Sequence, residues 1–205
     1  MALHLAGAHG KIGTSIFSGA GTMVKEVKKR TPSWSDVKKS LSDFDRAGLL
    51  ALVQDIYSAS KENQTFLHTR FGLGADPLDP YQTTISRWLW PDVLRGQDTS
   101  ISKAKKAIAD YKKAVGRPED MAELMTFYCE QAAGFSREVG LADERYFDSM
   151  ISMFDQALKL AANLPVAEKS ALLERLDQVR QVSHDLGYGV GDNMDDLLIE
   201  YQAAD

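Results

Sequence analysis

Glycine, lysine and threonine crowd together in GAHGKIGTS, residues 7–15, the vocabulary of a loop that wraps phosphate. A Walker-type loop has a Gly, four further residues and then Gly-Lys-Ser/Thr, because the hydroxyl after the lysine ligates Mg²⁺ while backbone amides surround the phosphates. Here only two residues separate Gly7 from Gly10-Lys11, and Ile12 stands where the hydroxyl belongs. The stretch lacks the parts for nucleotide chemistry. It also cannot form the apolar centre of a secretory leader, since His4, Gly7, His9, Gly10 and Lys11 interrupt it. Residues 1–22 are expected to be a disordered extension, with Met23 as an alternative start.

Other chemical constellations fail on spacing. His68 and His184 lie far apart, and no His-x3-His, Glu-x2-His or paired-cysteine pattern occurs, so neither a metal nor a cofactor is expected. Cys129 sits among apolar residues in MAELMTFYCEQAAGF, which suits a buried thiol and a reducing compartment better than a nucleophile. Arg180 and His184 share one helical face, but the three residues between them fall short of the four to six used by helical ribonucleases of the HEPN type. No Gly-x-Ser-x-Gly elbow occurs. No catalytic residue is assigned.

Three binding features remain. The helical stretch from Lys103 to Lys113 carries Lys103, Lys105, Lys106, Lys112 and Lys113, with Lys105 and Lys112 as candidate contacts to an acidic protein or to phosphates. Trp88 and Trp90, before Pro91, are candidate interface anchors, since Trp is over-represented where binding energy concentrates. The glycine-rich turn between Gly187 and Asp192 offers Tyr188 and Asp192 for a small-ligand or peptide pocket, joined by Glu144, Arg145 and Tyr146 from the preceding long helix.

The elements that must position these groups read as helices. From Ser33 onward, apolar residues recur at helical spacing, separated by Gly72, Pro91, Gly116-Arg-Pro118, Gly140, Pro165 and Gly187. Strand alternation is almost absent. With 205 residues, 44% of them hydrophobic, the expectation is one all-α domain over residues 23–205: about eight antiparallel helices packed as a bundle or a short stack of hairpins. Asp192 is expected to cap the last helix. The longest apolar runs are far too short for a membrane span, and a net charge of −5 argues against a general nucleic-acid coat.

The segments ISKAKKAIADYKK, ELMTFYCEQAAGF, DERYFDSMISMFDQALKL and GYGVGDNMDDLLIEY, in this order, resemble an uncharacterised family of small bacterial proteins known as a domain of unknown function. The resemblance covers roughly residues 37–201. It implies a helical fold and a bacterial source and supplies no activity. Where that family often has an aromatic residue and a histidine before the aspartate, this chain has Val190 and Gly191. The functional expectation is therefore a non-enzymatic cytoplasmic module that binds a protein partner or itself. A pocket at the glycine turn is one alternative; a nucleic-acid-associated regulator or antitoxin using the lysine helix is the other.

Overall fold

The computed structural model describes residues 30–204, so GAHGKIGTS, Met23 and the whole expected extension lie outside the described residues. The chain divides into two compact units at Asp45/Arg46. The described part of the first contains α1 (Trp34–Leu41). Its start is fixed by Asp36, whose carboxylate accepts from the Ser33 amide and hydroxyl, both at 2.7 Å, and from Arg30 at 2.6 Å.

The second unit is all helical: α2 (Arg46–Ala59), α3 (Lys61–Arg70), α4 (Asp79–Leu89), α5 (Ile101–Ala114), α6 (Pro118–Val139), α7 (Glu144–Ala161), α8 (Val166–Ser183) and α9 (Val190–Ala204). No strand occurs among the described residues. The stop signals act where the sequence places them. Pro118 occupies the first turn of α6, where its missing amide costs no hydrogen bond, and Gly140 closes that helix in the left-handed region at φ +64°.

The core forms around α6. Eleven of its 22 residues are buried, including Leu124, Tyr128, Cys129, Ala132 and Phe135. At about 100° per residue these cover an arc of about 200°, more than half the helix circumference. The helix is accordingly packed by α4, α5, α7 and α8. Small residues set the approach to α7: the Cys129 thiol lies 3.7 Å from the Met150 carbonyl, and Tyr128 Oη shares a 2.6 Å hydrogen bond with Ser149 Oγ. Burial pushes the Cys129 thiol well above its ordinary range, which suits a packing role. On the α8 side, Arg175 forms a two-pronged ion pair with Glu130 (2.7 and 2.8 Å) and reaches Glu123 at 2.5 Å.

Trp90 follows α4 and lays its ring on α6. A Cβ at Gly134 would sit 2.4 Å from Trp90 Cζ3, so the ring occupies the space that any larger residue would claim. Gly134→Ala gains helix propensity of under about 1 kcal/mol but overpacks a rigid indole, and a net loss of about 1–2 kcal/mol in urea unfolding is expected. Pairing it with Trp90→Leu should recover much of that loss. An unchanged midpoint for Gly134→Ala alone would contradict the packing.

Candidate functional site

The largest depression in the second unit is a groove of about 860 Å³ between α3, α4 and α5. Tyr81 and Ala107, both buried, contribute from the core side, and Trp88, Phe66 and Pro80 add apolar surface. Tyr81 donates from its hydroxyl to Thr69 at 3.1 Å, and burial raises its phenol above the usual range. Lys61, Lys103, Lys106 and Lys113 line the groove against two carboxylates, Glu62 and Asp110. Asp110 is shared by Lys106 and, at 3.5 Å, by Lys113. The Glu62 carboxyl is held below its ordinary range, first by its own backbone amide at the start of α3 and then by the Ser60 hydroxyl. Lys103 places its ammonium 3.7 Å from the centre of a Trp88 ring, and the Arg87 guanidinium lies 4.4 Å from the same residue's ring. The indole is thus held between α4 and α5 by cation–π contacts.

Helical geometry sorts the lysines. Lys103, Lys106 and Lys113 fall on one flank of the buried stripe of α5 (Ala104, Ala107, Ile108, Tyr111, Ala114), whereas Lys105 and Lys112 fall on the other. Trp88 shares the groove with the first set. The candidate interface of Trp88, Trp90, Lys105 and Lys112 is therefore not one surface, since Trp90 is occupied with Gly134 and the two lysines face away from the groove. Lys25, Lys28 and Lys29, which the nucleic-acid reading joins to this helix, lie outside the described residues.

The glycine turn has a different organisation from the one expected. Gly187 and Gly189 adopt φ of +77° and +66°, and Tyr188 between them is itself left-handed at +52°. This turn lets α9 begin at Val190, so Asp192 lies within the first helical turn instead of capping it. Gly191 serves proximity: a Cβ there would lie 2.5 Å from the His184 ring and 2.8 Å from its Cα. Tyr188 is 63% exposed and packs its ring on Phe147, with centroids 5.6 Å apart. Tyr146 is buried, and its hydroxyl donates to the Leu89 carbonyl at 2.8 Å. Glu144 and Arg145 are exposed at the start of α7. The structure thus places Tyr146 in the core against α4, apart from the surface carrying Tyr188 and Asp192.

What does converge at this turn is Arg180, His184, Asp192 and Asp195. Arg180 donates to Asp195 at 2.6 Å and to Asp177 at 2.8 Å, and His184 lies 3.3 Å from Asp195 and 3.8 Å from Asp192. The ligating atoms of His184, Asp192 and Asp195 all lie within 4.8 Å of one another. A guanidinium already neutralises Asp195, so the group acts as an ion-pair network joining α8 to α9. The helical pairing of Arg180 with His184 is visible in the sequence; their common partner Asp195, eleven residues beyond His184 and across the turn, is not.

No family model, curated protein sequence or solved structure matches the chain.

The Asp195 carboxyl is held below its ordinary value, chiefly by the Arg180 hydrogen bond. A carboxyl with a lowered folded pKa contributes stability that stands above the ordinary carboxylate pKa and is lost as the pH falls through the lowered value. Asp195→Asn should therefore melt below the parent near neutrality, and the two melting curves should converge as the pH drops below about 3–4. A gap that stays constant over that range in a calorimetric pH series would show that the carboxylate charge is not what matters.

Proposed function

We propose that the chain is a non-enzymatic, cytoplasmic protein-interaction module, and that it associates with a second copy of itself through α2. The supporting observation is an uncovered apolar stripe. Leu49, Leu50, Val53 and Ile56 follow helical spacing, yet each is 41–60% exposed, and α2 has no buried residue. Phe71 and Leu73, at 69% and 59% exposure, extend this surface beyond α3. A shallow groove joins Leu50, Val53 and Tyr57 to Leu67, His68 and Phe71.

The apolar area is roughly 500 Å², at the upper end of what monomers leave uncovered, while a standard interface takes about 800 Å² from each partner including its polar rim. Between Leu49 and Ile56 the only charge is Asp55, which lies on the opposite side of the helix. The stripe can therefore meet its own copy about a two-fold axis without like-charge repulsion, and two-fold pairs are the commonest soluble assemblies. The buried lone thiol Cys129 fits a reducing compartment. No helix among the described residues is long and apolar enough to cross a membrane.

Light scattering after size exclusion should give twice the 22.7 kDa chain mass. Val53→Glu, and separately Ile56→Glu, should return it to the monomer while leaving the helical circular-dichroism signal and melting cooperativity in place, since neither residue is buried. A monomer at every concentration, or a dimer indifferent to both substitutions, would overturn self-association through α2.

A further inference from the structure

We propose that the groove between α3, α4 and α5 binds a small dianion with a flat apolar body, of the aromatic phosphomonoester class. The argument begins with charge. Four lysines against two carboxylates leave the groove with two positive charges in a chain whose net charge is −5, so the surplus is local and not a reflection of composition. Lys106 and Lys113 share Asp110. Lys61 makes no ion pair with another described residue, and Lys103 has only the face of Trp88. An ammonium resting on an exposed indole is weakly held, and an arriving anion can recruit it without breaking a salt bridge.

Phosphomonoesters carry a charge of about −1.5 to −2 near neutrality, which matches the surplus. The apolar remainder of the groove fits the other half of such a ligand. Phe66 and Trp88 offer ring surface, and about 860 Å³ lies within the size range of small-molecule sites. Thr65 and Thr83 supply neutral hydroxyls at the same surface. An acidic peptide would bring more negative charge than two uncompensated lysines can answer. A bare phosphate would leave the aromatic surface uncovered.

The test is isothermal titration of the full chain with adenosine 5′-monophosphate, inorganic phosphate, adenosine and a short poly-glutamate peptide. The monophosphate should bind, with inorganic phosphate and adenosine each at least about tenfold weaker, and affinity should fall as salt rises from about 50 to about 500 mM. Lys61→Gln combined with Lys103→Gln should weaken the monophosphate by about tenfold or more without shifting the thermal melt, because both side chains are exposed. The matched variant Lys105→Gln/Lys112→Gln removes the same charge from the other flank of α5 and should leave affinity unchanged. Equal loss in the two double variants would mean undirected charge attraction and overturn the site. Preference for adenosine, bare phosphate or the peptide over the monophosphate would overturn the ligand class, as would absence of binding at millimolar concentration.

Discussion

A helix buried over more than half its circumference needs close neighbours on several sides at once, and α6 obtains them by keeping its contact faces small. Ala122, Cys129, Ala132, Ala133 and Ser136 are all buried, so backbones approach, while Leu124, Tyr128 and Phe135 fill the spaces between. The polar atoms carried inside by this arrangement are satisfied locally. Ser136 donates to the Ala132 carbonyl at 2.8 Å, and Tyr128 and Ser149 share one hydrogen bond. The lengthwise position of α8 on α6 is then pinned by the Arg175 ion pairs with Glu123 and Glu130, one helical turn and more apart.

The features with functional interest lie where this coverage ends. α4 and α5 pack on α6 through one face each, and α3 closes over the opposite side of that pair, leaving the lysine-lined groove between the three. Arg70 reaches from the end of α3 to the Lys113 carbonyl at 2.6 Å, tying α3 to the end of α5 and fixing one limit of the groove. α2 packs mainly on α3 and has no second layer, so its apolar residues stay in solvent. The same stacking order therefore generates both an apolar surface and a cationic depression, on different sides of α3.

Much of the fold was legible in the sequence because helix boundaries are written in local chemistry. Pro118, Gly140 and Gly187 act within a turn of their own position, and the 3.6-residue period of Phe147, Met150, Phe154, Ala157 and Leu158 marks the buried face of α7 without reference to any partner. The boundary that was misread, at α9, is where a non-glycine residue turns left-handed. Tyr188 at φ +52° carries no sequence signal of that conformation, and its effect is to move the helix start ahead of Asp192. The apolar stripe of α2 was legible as amphipathic, but amphipathicity states which face seeks cover and not whether the fold provides it.

The sequence by itself determined the helical class, the inert setting of Cys129 and the failure of GAHGKIGTS as a nucleotide loop, since each depends on residue type and spacing within one short segment. Only the tertiary structure decided which lysines share a surface. Lys103, Lys106 and Lys113 meet Trp88 and Lys61 because α5 turns that flank toward α3 and α4, while Lys105 and Lys112 differ from them by two positions or fewer in sequence and by roughly half a turn in direction. It likewise decided that Tyr146 belongs to the core, and that Asp195 is the meeting point of Arg180 and His184. Contacts between segments distant along the chain depend on how whole helices pack, and no local periodicity encodes that.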